Sequence, residues 1–527
     1  MVRDKRTVKM LLKIRHALLE ITNHPVTKQS AIIINNEIII TSGCILQPYV
    51  RPVAPFQTQT DREDVCPSTK IIYKLHQCKL INVQEGSSDE AKHLSALNYQ
   101  VTFDRRKLPM SNARRKQPHI LTRYCAKLLY LFNSAEISRH VLRFLNNDRT
   151  DSSSETHNAV LLSSFLVLSM RCDGVKENFE RFLRHIAHYL RYLQPIHTLD
   201  DVLVMCTPFG LENFYKTISI GKVSNVMGRD GCLFVLSNAL ALGCEGAAVF
   251  NNKLRLIGMI MCTSFQRQQE NVNLTLAANF AYLLRDFMQQ LGLNITSVRV
   301  PRDSSNFPWE RAMVVIEAAG SQGTGTFIKV LNKKFILTCT HVVFKLNSKA
   351  VCRSVDGEFE SAVLWRNPQY DQPFDVALLA APDNIPERYC VRLSGAKPTL
   401  GQTVYNAGFP YFVNFNLKYD FNPAIFQGRI IKCSPGAIMS DGCVQAGQSG
   451  GPMFDEQGCI LGICVSNIKV GNVVYPNLNT AVPICQIRTW LEQYARTNDI
   501  KVLSNLVANK EMQRIWALES FPILSKL

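Results

Sequence analysis

A serine between glycines, a solitary histidine and an aspartate at the head of an apolar run are the residues of this chain suited to covalent chemistry. Ser449 sits in Gly447-Gln448-Ser449-Gly450-Gly451-Pro452. A serine hydroxyl is a weak nucleophile at neutral pH. It needs a base to take its proton and amide donors to hold the oxyanion that forms. Glycine at 447 lets the backbone turn so that its own N–H and that of Ser449 aim at one point. Taken alone, the string also fits a glycine-rich turn.

The histidine tips that balance. Residues 301–527 contain a single histidine, His341, directly after the strand-like run FILTCT. A lone histidine is more often structural. Here the order His, Asp, Ser and the small residues beside it favour a general base. Asp375 precedes the apolar run VALL, where it would hold the imidazole tautomer and stabilise the imidazolium. Asp371 and Asp383 lie nearby, but only Asp375 abuts a run that reads as a buried strand.

These residues need a rigid frame, and the pattern around them is β. MVVIEAAG, GTFIKVLNKKFILTCTHVV, DVALLAA, QTVYNAGFP, GRIIKC and GCILGICVSNIKV are short apolar, β-branched runs separated by Gly, Asn, Pro and Asp. Such spacing predicts a barrel or sandwich. PICQIRTWLEQYART and NLVANKEMQRIWALE have helical spacing. The first half is mixed, with strand-like runs (AIIINNEIIITSG, NAVLLSSFLVLSM, LRLIGMIMC) and helix-like ones (LTRYCAKLLYLFN, ENFERFLRHIAHYLRYL).

An internal repeat links the halves. LGCEGAAVFNNKLRLIGMIMC around Glu245 parallels AGQSGGPMFDEQGCILGICV around Ser449. Gly243 aligns with Gly447, Gly246 with Gly450, Phe250 with Phe454 and Gly258 with Gly462. NNEIIITSGC parallels LNKKFILTCTH, which sets Cys44 opposite His341. NAVLL parallels DVALL, which sets Asn158 opposite Asp375. The first half therefore reads as a second copy of one fold with its catalytic positions replaced.

Length and composition bound the rest. A chain of 527 residues is too long for one core, so two domains are expected. The boundaries read as 1–295, a linker at 296–308, an active domain at 309–500 and a tail at 501–527. No apolar run is long enough for a membrane-spanning helix. The opening MVRDKRTVKMLLKIRHALLEI reads as a basic surface helix, not as a signal peptide or presequence. The net charge of +17 reads as solubility and basic loops, not nucleic-acid binding, because DRRKLPMSNARRK has no interleaved aromatics. The 17 cysteines are odd in number and scattered without a CxxC pair, which points to reduced thiols and away from structural zinc. No cofactor is expected, and homo-oligomerisation is left open.

The second half resembles the chymotrypsin clan, and within it the Deg-type proteases, through SGGPMFDEQGCILGI. The resemblance implies His341, Asp375 and Ser449 as catalytic residues, with the N–H groups of Gly447 and Ser449 as oxyanion hole. It places Cys443 at the floor of the specificity pocket, with Asp441 a nearby rival. Cys464, Val465, Ser466 and Asn467 would form the wall. Gln448 replaces the acid by which secreted trypsins pair with a new N-terminus, so activation by that route is not expected.

The last residues, Ser525, Lys526 and Leu527, match the SKL address, and a peroxisomal import receptor is expected to read them. With the Deg-like half and the degenerate copy, this pattern resembles the peroxisomal leader-peptide-processing proteases. Such a resemblance implies a fold of two tandem trypsin-like double β-barrel units, the first degenerate with helical insertions. It implies a matrix endopeptidase that removes presequences from imported matrix enzymes, fatty-acid β-oxidation enzymes among them, and that processes itself. The alternative is a non-enzymatic module that binds peptides or partners.

Overall fold

The computed structural model describes residues 14–50, 67–77, 79–104, 121–145, 153–170, 175–190, 195–267, 270–272, 274–293, 309–318, 321–345, 349–368, 373–410, 421–470 and 473–518. The chain divides into two compact units, Met1–Ser304 and Ser305–Leu527. The expected linker and the terminal Ser525, Lys526 and Leu527 lie outside the described residues.

Each unit holds two closed six-stranded barrels, and the four barrels share one strand order: first, second, third, sixth, fifth, fourth, and back to the first. In the second unit the first barrel runs from Met313–Ala318 to Ala377–Ala380, and the second from Thr403–Gly408 to Val473–Pro483. All neighbours are antiparallel, as short hairpin connections require. Closure pairs every strand on both sides, although Ile460–Val470 in the second unit extends beyond its pairing with Pro452–Phe454. Inward-facing side chains such as Val404, Ile438, Met453, Leu461 and Ala481 fill the second barrel. The four larger of these each contribute roughly 1.5–3 kcal/mol on burial.

The first unit repeats this plan with insertions. Strands Ile14–Ile21, Thr27–Ile34 and Ile38–Ser42 pair in sequence, and the last pairs with Ser164–Ser169. Asn35 and Asn36 turn the chain at φ 54° and 62°, a left-handed conformation that asparagine tolerates. Helices Pro67–His76 and Asp89–Ser95 interrupt the barrel after its third strand, and Ala135–Leu145 and Ser153–Leu162 after its fifth.

Three readings change. Ile14–Ile21, expected within a surface helix, is a strand whose last six residues are buried. Leu121–Asn133, expected to be helical, is a strand paired on both sides. Its first half alternates in exposure with period two, and its second half is apolar because both faces are covered. Asn158 lies exposed in the helix Ser153–Leu162, not at a strand start. Within NLVANKEMQRIWALE, read as helical, Lys510–Trp516 is a helix capped by the Asn509 side chain, and Trp516 Nε1 donates to Gly436 O at 3.1 Å.

Among the described residues no helix is long and apolar enough to cross a membrane. All described cysteines are free thiols.

Candidate active site

His341 enters the site in the short helix Thr340–Val343, immediately after the strand Lys333–Thr338 and Cys339. Asp375 lies two residues before the strand Ala377–Ala380, which pairs with Lys333–Thr338. This pairing brings the two together. Asp375 is fully buried, and its Oδ2 meets His341 Nδ1 at 2.6 Å. Its Oδ1 accepts the His341 backbone N–H at 3.1 Å. Both oxygens thus act on one residue and fix ring and backbone together. Thr340 Oγ1 adds a bond to Val376 O at 2.7 Å. The preceding Phe374 is buried at φ 66°, a strained conformation for an aromatic residue. Asn367 Nδ2 holds it by donating to Phe374 O at 3.0 Å.

A carboxylate on Nδ1 favours the tautomer protonated there and makes Nε2 the basic nitrogen. Cys339, His341 and Asp375 also place possible metal-ligand atoms within 4.8 Å of one another. The 2.6 Å His341–Asp375 separation is a hydrogen bond. Two ligands on one tetrahedral zinc stand about 3.3 Å apart, given metal–ligand bonds of about 2.0–2.1 Å.

Ser449 is carried on the turn between the second barrel's third and fourth strands. Gly447 and Gly450 adopt φ 95° and 83°, where a side chain would be strained. A Cβ at Gly450 would lie 2.2 Å from Thr338 Oγ1. Thr324 braces the turn from the first barrel: its N–H donates to Ser449 O at 2.8 Å, and its Oγ1 donates to Gly447 O at 2.7 Å. The Gln448 carbonyl accepts from Gly451 N at 2.9 Å. In a trans peptide the following N–H, that of Ser449, points the opposite way.

Ser449 Oγ donates to Val465 O at 3.0 Å. Cys339 Sγ donates to Cys464 O at 3.4 Å, tying the approach to His341 to the same strand. A Cβ on Gly323 would meet Val342 at 2.5 Å and Ser449 O at 2.9 Å, so the turn and the histidine helix face each other across that glycine. Gln448 is buried, and its Oε1 accepts Gln445 N at 2.7 Å. The side chain thus closes the turn locally, where an acid would have needed a distant cation.

Cys443 receives a hydrogen bond from Gln445 Nε2 at 3.2 Å, and burial pushes its thiol up to about 11. It is therefore uncharged at neutral pH. Asn467 Nδ2 donates to Val444 O at 3.0 Å, joining the strand to the Cys443 segment. Asp441 is exposed, and its Oδ1 accepts Arg429 N–H. Cys464 corrects the expected wall: its side chain belongs to the barrel core, leaving only its backbone at the site. Asp383 is exposed, and Asp371 lies outside the described residues.

The first unit preserves several bonds of this scaffold. Thr41 Oγ1 donates to Ser30 O at 2.7 Å, as Thr338 Oγ1 does to Thr324 O at 2.8 Å. Ser30 Oγ donates to Gly243 O at 3.0 Å, in the manner of Thr324 on Gly447. Gly246 N donates to Ile260 O at 2.7 Å, as Gly450 N does to Cys464 O at 2.8 Å. A Cβ on Gly246 would lie 2.2 Å from Thr41 Oγ1, as at Gly450. The register Thr41↔Leu166, matched to Thr338↔Ala377, puts Ser164 opposite Asp375 in place of Asn158.

The chemistry is absent there. Glu245 stands at the Ser449 position, and its Oε2 accepts the Gly243 N–H at 2.8 Å. Its Oε1 accepts Thr263 Oγ1 at 2.9 Å. Cys44 donates weakly to Met261 O at 3.6 Å, and burial, reinforced by Glu245, pushes its thiol up to about 12. Sequence reasoning missed this self-occupied anion site and the braces at Ser30 and Thr324. Their signal was a hydroxyl residue in the second strand of each copy.

Residues 323–463 match the trypsin-like peptidase domain family. The chain therefore carries a trypsin-like peptidase domain, built on the double barrel of its second unit. It is similar to the peroxisomal leader peptide-processing protease of Homo sapiens, with 27% identity over 415 residues, covering 72% of this chain and 70% of that protein. The protein of the same name from Mus musculus is 27% identical over 355 residues, covering 60% of each. The chain thus spans well short of the full length of these relatives. Among solved structures, a serine endoprotease from Yersinia pestis has 20% identity and a TM-score of 0.30, covering 37% of this chain and 66% of that one. The HtrA-type protease AlgW with tripeptide has 17% identity and a TM-score of 0.30, covering 36% and 62%.

Proposed function

We propose that the second unit hydrolyses peptide bonds through an acyl-enzyme. Ser449 Oγ attacks the carbonyl carbon while His341 Nε2 takes its proton. The resulting oxyanion is held by the N–H groups of Gly447 and Ser449. His341 then returns the proton to the departing amine, and water, activated the same way, releases the acid and restores the serine. Asp375 keeps the ring oriented and stabilises the imidazolium. The observation that carries this reading is the fully buried Asp375 bound to both the ring and the backbone of His341.

The substrate adds as a strand. The strand Ile460–Val470 is paired with Pro452–Phe454 up to Ile463, the backbone groups of Cys464 are taken by Gly450 and Gly451, and among the described residues no strand pairs that edge beyond them. An extended peptide can satisfy those backbone groups. Cys443 at the floor, with Ser466 and Asn467 on the wall, offers no charge to bind Lys or Arg. The residue before the cut is therefore small or medium and uncharged.

The relatives' name supports leader peptides as substrates and the peroxisome as the site of action; the proposal extends this to imported proteins of its matrix. Fatty-acid β-oxidation enzymes and the chain itself belong to the same proposed substrate set. The test is N-terminal sequencing of products from presequence-bearing matrix proteins incubated with the enzyme. New N-termini that Ser449→Ala fails to generate support the reading; identical products from both refute it. The self-occupied site at Glu245 supports a non-catalytic role for the first unit.

A further inference from the structure

A cavity of about 270 Å³ lies on the outer face of the second barrel of the protease unit. Its floor is formed by Met439 and Thr480, its near wall by Ser466 and Ile468, and its far wall by Trp516 and Leu518 from the C-terminal helix and the turn after it. That volume suits one large side chain, not a whole ligand. The Trp516 bond to Gly436 O pins the far wall to the barrel.

The cavity continues the open strand edge on which the substrate reading rests. Val465 O faces Ser449 Oγ, which sets the position of the residue next to the cut. A strand rises about 3.3 Å per residue, so Ile468 lies about 10 Å further along. An extended peptide running along that edge covers this distance in three residues. Ser466 is exposed and contributes only a hydroxymethyl group, so nothing of its own fills the space.

From this we infer that the C-terminal helix completes an extended subsite, in which Trp516 and Leu518 select a large apolar side chain two to four residues before the scissile bond. The inference rests on the protease reading above. It makes residues 509–518 part of the specificity machinery of the second unit, not a tail.

The test is cleavage of a proteome-derived peptide library by the full-length protein, with products identified by mass spectrometry. Rates are normalised to Ser449 labelled by a small fluorophosphonate. The wild type should enrich large apolar residues at one of those positions. Ser466→Trp fills the cavity from the strand, and Trp516→Ala opens it from the helix. Each should lower kcat/KM for the preferred peptides relative to alanine-bearing ones by roughly tenfold, with Ser466→Trp shifting the preference toward small residues. Unchanged preferences in Ser466→Trp, with Ser449 still labelled, would overturn the subsite alone. Wild-type protein whose Ser449 never labels would overturn the protease reading and the subsite with it.

Discussion

Glu245 Oε2 accepts the backbone N–H of Gly243 at 2.8 Å, so the first unit fills with its own carboxylate the place where the second unit would hold an oxyanion. The amide is the counterpart of Gly447 N–H, and the acid is the counterpart of the nucleophile. The first unit therefore keeps this turn and satisfies its amide with a side chain of its own.

Glu245→Ala should strip acceptors from both Gly243 N–H and Thr263 Oγ1. Leaving such donors unsatisfied costs about 1–3 kcal/mol. Urea unfolding of the full chain should show the first unit's transition at lower denaturant, and no reactivity should appear in that unit. A variant as stable as the parent would show that the carboxylate carries no structural weight.

Thr324 and Ser30 offer a paired comparison. Thr324→Val removes the hydroxyl bonds to Gly447 O and Phe409 N, both beside the nucleophile turn. The expected result is a loss of about 1–3 kcal/mol in stability and a slower fluorophosphonate reaction at Ser449. Ser30→Ala removes the matching bonds to Gly243 O and Thr207 N. It should destabilise the first unit without slowing that reaction. Equal effects of both on labelling would contradict the assignment of catalysis to one copy.

Local motifs carried much of this architecture into the sequence. Glycines at 447 and 450, required by φ 95° and 83°, and the strand-to-helix step before His341 leave short, readable patterns. The same glycines at 243 and 246 exposed the repeat. What failed were apolar runs whose period is ambiguous. NAVLL at 158–162 closes a helix, whereas the true counterpart of the Asp375 strand is Ser164–Ser169 two residues later. Leu121–Asn133 read as helical because burial on both faces erases alternation in its second half. Glu245 as an anion mimic was unreadable, since nothing in sequence says where a flexible carboxylate folds back. Cys464 looked like pocket lining because a strand places alternate residues on opposite faces, and the register was unknown.

Asp375→Asn should preserve the fold, because the side chain keeps its volume and can still accept the His341 N–H. The amide disfavours the required tautomer. Activity should fall by about 10³–10⁴-fold in kcat, measured on a presequence peptide. A loss below tenfold would mean that Asp375 does not orient the base.

His16 gives a pH signature. Burial lowers its pKa from the ordinary value of 6.5 to about 3, with Lys216 adding to the effect. Its Nε2 is 2.7 Å from Thr207 Oγ1. Because the folded pKa is depressed, the unfolded chain takes up a proton between pH 6.5 and about 3 that the folded chain refuses. The His16 contribution to the stability of the first unit should therefore be constant above pH 6.5 and fall below it, at up to about 1.4 kcal/mol per pH unit. His16→Asn should flatten that slope in denaturant titrations. An identical slope in the variant would assign the acid sensitivity elsewhere.

The most direct measurement is mass-spectrometric mapping of a fluorophosphonate adduct on the folded, full-length protein. The adduct should sit on Ser449 alone, disappear in Ser449→Ala, and form at least a hundredfold more slowly in His341→Ala, as expected for loss of a general base. A folded protein that leaves Ser449 unmodified, or that labels at the same rate without His341, would contradict the assignment of Ser449 as the activated nucleophile.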